Sequence, residues 1–345
     1  MRERVYLDWN ATAPLRPEAR AAMVAAMDVV GNPSSVHGEG RAARALVERA
    51  RAQVATAFGA AGSDVVFMSG ATEAAALAMA GRSLASAPVE HEAVAAWGDG
   101  ALSVDRAGRV EVAEPGRTAL QLANSETGVL QDLPPGIAVS DMTQAFGKVP
   151  VAFDWTGAEM ALISAHKLGG PKGIGALVVR HGIEVTAWIR GGGQEMGRRS
   201  GTENIVGIAG FGAAAEAAVA DIAAGRWERV AQLRTFLETS LEGADNPTIL
   251  VGKESRRLPN TACLMTPGWK GETQVMALDL AGFAVSAGSA CSSGKVRESA
   301  VLRAMGYGAG EADCAIRVSL GPDVTEEQVE RFMGTFRRLR DRRRT

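Results

Sequence analysis

The feature that most constrains this chain is a succession of short apolar runs, each ending in polar residues. DVVFMSG (64–70) reads as a buried strand and ATEAAALAMAG (71–81) as the helix that follows it. ALQLAN (119–124), IAVSD (137–141) and MALISA (160–165) repeat the first half of that unit. An apolar run without alternation is what a strand buried on both faces requires. Such strands, spaced by helical patterns, predict an α/β domain around a mostly parallel sheet. In that architecture functional groups collect beyond the carboxyl ends of the strands, and the polar clusters singled out below fall at such ends.

A helical run from about Gly207 to Ala224 continues through ERVAQLRTFLETSLEG (228–243) and leads away from this sheet. TACLMT (261–266), FAVSAG (283–288) and CAIRVSLG (314–321) read as strands, and TEEQVERFMGTFRRLRD (325–341) as a closing amphipathic helix. These predict a second, smaller α+β domain.

Charge and cysteine usage narrow the function. A net charge of -2 over 345 residues gives no reason to expect nucleic acid, and the basic tail RRLRDRRRT reads as a solvated helix end. No stretch is expected to reach membrane-span length, and MRERVYLDWN lacks the apolar run of a leader. The expectation is therefore a soluble, cytoplasmic protein. Cys263, Cys291 and Cys314 lie far apart, which speaks against a disulfide framework and a structural zinc site. Asn10-Ala11-Thr12 fits a glycosylation acceptor, but without a secretory signal the match carries no weight.

The lysines locate the chemistry. There are six, and two of them, Lys167 and Lys172, sit five positions apart in ISAHKLGGPKGIGALVV (163–179). Lys167 follows directly on a buried strand, where partial desolvation lowers an amine's pKa and makes it a usable nucleophile. Lys172 lies inside a glycine turn and reads as a surface charge. The turn fails the G-x-x-x-x-G-K-[ST] pattern, so nucleotide binding is not expected.

A lysine that holds an aldehyde cofactor points to pyridoxal phosphate, whose needs can be checked in turn. Its phosphate wants amide and hydroxyl donors, and Ser69-Gly70-Ala71-Thr72 offers them at a strand-to-helix junction. Taken alone, Ser69 and Thr72 read more simply as helix caps. Ser164 and His166 flank the lysine and reach toward the same anion. Asp141, closing IAVSD, is a carboxylate for the pyridine nitrogen or, equally, a turn former. Gln144 is placed to donate to the phenolic oxygen, and His91 to cover the ring face. His37 and His181 read as structural.

Cys263 and Cys314 are expected to be buried and inert within apolar strands. Cys291, in GSACSSG (288–294), sits among residues that pack no core. An exposed, mobile thiolate can both attack and deliver.

Taken in order, YLDWNATAP, GNPSSVHGEG, SGATE, EHEAV, ANSETGVLQ, SAHKLGGPKGIGAL, GGGQEMGRRSGTEN, GSACSSG and CAIRVSLG span nearly the whole chain. They resemble the cysteine desulfurases, pyridoxal-phosphate enzymes of the class V aminotransferase group with the type I fold. The resemblance implies a large α/β domain over 15–221 with a mostly parallel seven-stranded sheet. It implies a smaller α+β domain, formed by 1–14 and 222–345, that carries the loop of Cys291.

The resemblance makes Lys167 the Schiff-base lysine, and Ala71, Thr72, Ser164 and His166 contacts of the cofactor phosphate. Asp141 pairs with the pyridinium, Gln144 with the ring oxygen, and His91 stacks on the ring and serves as acid–base group. Asn124, also at the cofactor, and Arg317 orient the substrate. Thr202 reaches the phosphate of a neighbouring subunit, which implies a homodimer. Cys291 corresponds to the persulfide-forming residue; no intrinsic metal is implied, only a transient contact of Cys291 with an iron–sulfur cluster. The implied reaction takes sulfur from L-cysteine, leaves L-alanine and passes the sulfur to an acceptor protein such as an iron–sulfur scaffold. GSAC and the loop after it resemble the branch that serves cluster assembly.

The chain also departs from the family pattern. Trp9 and Ser125 stand where asparagines are usual, and Met196 where arginine is common. The segment between Gly81 and Arg117 is compressed, and the C-terminal extension by which relatives dock a scaffold is not expected. A selenocysteine lyase, or another class V aminotransferase, is the alternative enzymatic reading. A degenerate relative acting as a partner is the non-enzymatic one, and the intact Lys167, Asp141 and Cys291 argue against it.

Overall fold

The computed structural model describes residues 4–242, 248–288 and 298–342. The first part of the chain supplies strands β1 Val5–Tyr6, β2 Ser63–Met68, β3 Ala85–Ser86, β4 Thr118–Ala119, β5 Val139–Asp141, β6 Met160–Ser164 and β7 Gly175–Arg180. The last part supplies β8 Ile249–Val251, β9 Thr261–Met265, β10 Phe283–Ala284, β11 Ser286–Ala287 and β12 Ala315–Ser319.

Six strands form the central sheet, in the order β2-β7-β6-β5-β4-β3. β7 runs antiparallel to both neighbours, while β6, β5, β4 and β3 pair in parallel. The sheet is mostly parallel, as expected, but the expected seven strands are six among the described residues. Beyond β3 the edge carries only a fringe: Leu102 N donates to Ser86 O at 3.0 Å, and Asp99 Oδ1 accepts from Ser86 N at 3.1 Å. The segment between Gly81 and Arg117 turns at Gly100 and Gly108, both with positive φ, which leaves no extended stretch to build a ladder.

The central-sheet strands are mostly apolar because both faces are covered. Val65, Phe67, Ile163 and Val178 enter one core, and Val66, Met68, Leu162 and Leu177 enter the other. This is the period of two that a strand imposes. The first core is closed by the helices Gly38–Phe58 and Ile205–Ala223, with Phe58 stacked on Phe153 at 5.7 Å and edge-on to Phe146 at 4.8 Å. The helix Ala71–Met79 closes the second.

The helix Ile205–Ala223 corrects one expectation. Its 19 residues are long and apolar enough to cross a membrane. Its partners explain the composition. Gly210 lies against Met23, and Gly212 against Ala50, so closely that a Cβ on either would meet those residues within 3.0 Å. Asp221, near its end, pairs with Arg16 and Arg226. These are the surroundings of a core helix.

A second sheet, antiparallel and ordered β11-β12-β9-β8, packs with the helices Arg226–Leu241, Gly271–Leu280 and Glu326–Asp341. Val5 and Leu7 belong to this core, together with Trp227, Leu264, Ile316, Phe332 and Phe336. The N-terminal strand reaches it by parallel pairing of β1 with β10. The last helix begins at a reciprocal cap formed by Thr325 and Gln328.

Trp9, which replaces the usual asparagine, lies flat against Gly321. A Cβ at Gly321 would fall 1.7 Å from Trp9 Cε2. Gly321→Ala should therefore cost about 1–3 kcal/mol by overpacking, read as a lowered melting temperature. In a Trp9→Leu background the same change should cost much less, because the two sites are in contact. Equal losses in both backgrounds would exclude the packing account.

Candidate active site

The carboxyl ends of β2, β5 and β6 open into one cavity of about 700 Å³. Ala71, Thr72, His91, Asp141, Gln144, Ser164, His166 and Lys167 all line it, so eight of the anticipated residues meet in one place. Lys167 stands in a single 3₁₀ turn, Ala165–Lys167, directly after β6. Its Nζ donates to Asn10 O at 2.7 Å and Ala11 O at 3.0 Å, so two carbonyls from the N-terminal segment hold the amine in place.

At one end of the cavity the helix Ala71–Met79 begins. Its N-cap is Gly70, with no side-chain cap, which corrects the simpler reading of Ser69 and Thr72 as caps. Ser69 N instead donates to Glu73 Oε2 at 2.8 Å, and Glu73 is paired with Arg199. The junction is set by Gly175 in β7: a Cβ there would meet Ile163 O at 2.6 Å and Gly70 Cα at 2.8 Å. Only glycine lets β7 pass so close beneath the loop.

Positive charge crowds this end. Burial first, then Lys167, Lys172 and Lys148, push the His166 imidazole down to about 4. Lys172 is exposed, as expected of its glycine turn, yet it borders the cavity. An uncapped helix N-terminus, the hydroxyls of Thr72 and Ser164 and an excess of cations suit a dianion. At the ring end, Asp141 Oδ1 accepts from Thr143 N at 2.9 Å, which steadies a carboxylate suited to a protonated ring nitrogen. The residues present fit pyridoxal phosphate.

His91 Nδ1 accepts from Ala93 N at 3.1 Å, so the neutral ring carries its proton on Nε2. The preceding Glu90 is buried and accepts from Gln121 N at 3.0 and 3.1 Å. Burial, reinforced by the charge of Asp141, pushes this carboxyl well above the usual range.

Three anticipated residues lie outside the cavity wall. Asn124 is buried in the turn it stabilises: its Oδ1 accepts from Glu126 N and Thr127 N, and its Nδ2 donates to Val89 O. It therefore shapes the wall at Ala123 and Ser125 rather than presenting its amide. Arg317 is buried behind Ser125, donating to Ser125 O at 3.0 Å and pairing with Asp8 at 2.7 Å. Thr202 is exposed and lines a smaller cavity of about 120 Å³ that shares Ser69 and Gly173 with the main one. Cys291 lies outside the described residues. Cys263 and Cys314 are buried, as expected. His37 caps the helix Gly38–Phe58, and His181 pairs with Asp64 at the surface.

Sequence reasoning missed Asn10, Lys148, Asp8 and Glu90. Asn10 is fully buried at the centre of the site, which excludes it as a glycosylation acceptor. Lys148 was legible as a rare lysine four residues after Gln144, and Glu90 as a carboxylate next to His91. Asp8 carried no such signal.

The depressed His166 has a consequence for stability. Its ordinary value is 6.5 and its folded value about 4, so the unfolded chain takes up this proton first as the pH falls. The contribution of the neutral imidazole is complete above the unfolded value and is lost as pH falls through the interval toward the folded one. Melting temperatures of the cofactor-free chain should decline more steeply across that window for wild type than for His166→Asn. Identical slopes would reject the assignment.

Comparison with known proteins agrees with this geometry. The chain matches the class V aminotransferase family over residues 5–98 and 113–332, and the unmatched stretch falls in the compressed segment. It is 40% identical to a cysteine desulfurase of Cereibacter sphaeroides, over 96% of this chain and 94% of that one. It is 34% identical to the cysteine desulfurase IscS of Dictyoglomus turgidum, over 100% of this chain and 96% of the relative. The solved structure of a NifS-like protein from Rickettsia africae superposes with a TM-score of 0.89 at 31% identity, covering 98% of this chain and 100% of that one. A chain with these motifs in this order, this fold and this cavity belongs to the cysteine desulfurase family of class V aminotransferases.

Proposed function

We propose that the chain is a pyridoxal-phosphate-dependent cysteine desulfurase that works as a homodimer. It takes sulfur from L-cysteine, releases L-alanine and holds the sulfur as a persulfide on Cys291 for an acceptor protein such as an iron–sulfur scaffold. The observation that carries this reading is the convergence of Lys167, Asp141, Gln144, His91 and the uncapped helix N-terminus on one cavity.

Bound there, the cofactor supplies an electrophilic carbon and an electron-withdrawing ring. Ala71, Thr72, Ser164 and His166 hold its phosphate, and Asp141 keeps the ring nitrogen protonated. Lys167 Nζ, held between the carbonyls of Asn10 and Ala11, is the base that removes the substrate Cα proton. His91 carries its proton on Nε2 and exchanges it near the sulfur. The Cys291 thiolate attacks the substrate sulfur: an S–S bond forms, the C–S bond breaks, and its electron pair leaves with the carbon that becomes the methyl group of alanine. The persulfide then passes to an acceptor thiol by exchange.

Arg317 is the group for the substrate carboxylate, held ready by Asp8 and Ser125 O. The position of Thr202 outside the main cavity of its own chain supports a role in the site of a second copy.

With L-cysteine and a thiol reductant, alanine and sulfide should form in equal amounts. Cys291→Ala and Lys167→Ala should each lose both products, by a factor of about 10² or more. Sulfide release that survives without Cys291 would point to a lyase and overturn the persulfide route.

A further inference from the structure

Lys148 has no part in the chemistry above, yet it is buried beneath the cavity, with a relative exposure of 2%. Among the described residues no carboxylate pairs with it. Its Nζ donates to two amide oxygens, Gln144 Oε1 at 2.6 Å and Asn10 Oδ1 at 2.9 Å. Burial first, then the charges of Lys167 and Arg317, push the amine well below the ordinary lysine range. A neutral amine has two N–H groups, one for each of these acceptors.

The other half of the Gln144 amide is equally constrained. Its Nε2 donates to Asn10 O at 2.9 Å, and a backbone carbonyl can only accept. With the oxygen held by Lys148 and one N–H held by Asn10, Gln144 has a single N–H left. Gln144 also lines the cavity. What it offers a ligand is thus a donor, suited to an anionic oxygen on an aromatic ring.

We propose that Lys148 is a positioning residue: it locks the Gln144 amide in one orientation, so that the site favours a ring bearing an ionisable hydroxyl. Without it Gln144 Oε1 is left buried and unpaired, and the single bond to Asn10 O is all that holds the amide in this orientation. The proposal rests on the reading of the cavity as a pyridoxal-phosphate site.

The test uses the full-length chain stripped of cofactor and two probes unable to bond covalently to Lys167. These are pyridoxine 5′-phosphate and its analogue lacking the ring hydroxyl, titrated by calorimetry. Wild type should prefer the hydroxyl-bearing probe by about tenfold or more, the size of a hydrogen bond to a charged group. Lys148→Met should lose that preference while still binding the deoxy probe, and should add no further loss in a Gln144→Ala background. Lys148→Gln, which keeps an N–H donor, should recover part of the preference and gives a second variant should methionine prevent folding.

A merely structural lysine would weaken both probes equally, and that outcome, or a preference intact in Lys148→Met, overturns the proposal. A wild type that binds neither probe would instead remove the cofactor reading on which the proposal stands. Preference in wild type that Gln144→Ala leaves unchanged would show that Gln144 is not the group concerned, and the proposal would fail with the cofactor reading untouched.

Discussion

One buried asparagine ties Lys167 to the rest of the molecule. Asn10 is fully enclosed, and each of its four polar atoms is engaged. Its backbone N donates to Ser319 Oγ, and its backbone O accepts from Lys167 and Gln144. Its side-chain nitrogen donates to Thr261 Oγ1 and Ser125 O, and its side-chain oxygen accepts from Lys148 and Asn260. Aspartate lacks the donors and leucine lacks everything. Either would leave several of these partners buried and unsatisfied, each at about 1–3 kcal/mol. The network spans both sheets, since Thr261 and Ser319 lie in β9 and β12 while Lys167 follows β6. It is therefore the joint that sets the amine against its cavity.

Around that joint the protein places ionisable groups where burial removes their charge. Glu90 is pushed toward its neutral acid and Lys148 toward its neutral amine, and His166 stays uncharged at ordinary pH. Neutral buried groups cost less than unpaired ions and still order their neighbours through hydrogen bonds. The field inside the cavity is thereby left to few sources, chiefly Lys167, Lys172, Asp141 and the helix N-terminus. A ligand with an anionic phosphate at one end and a cationic ring nitrogen at the other meets the complementary sign at each.

Much of this was legible in the sequence. The doubly buried strands announced themselves as apolar runs, and the polar residues at their ends met in one cavity because a parallel sheet gathers its carboxyl ends on one side. What failed did so for physical reasons. Glycine turns in the segment after Gly81 reduced a seventh strand to a fringe of hydrogen bonds. An apolar stretch of membrane-span length was passed over in Ile205–Ala223, because composition does not show which neighbours a helix will have. Motifs placed Asn124 and Arg317 at the site, and the structure adds that the amide is engaged in its own turn and that the guanidinium is paired with Asp8. Asn10 was missed because its importance lies in partners far away in the chain.

That distance bears on how the chain comes to be assembled. The segment that holds Lys167 is made first, yet the groups that fix Asn10 lie 250 and 309 residues further on, at Asn260 and Ser319. A growing chain can complete the doubly covered central sheet, with its local helices, before these anchors exist. The joint closes only when β9 and β12 have been synthesised and brought back to the N-terminus, and contacts so remote in sequence form slowly. Maturation is thus ordered by topology: the scaffold precedes the site, and a nascent chain displays a finished pocket only after β12 has been made and brought back to the N-terminal segment.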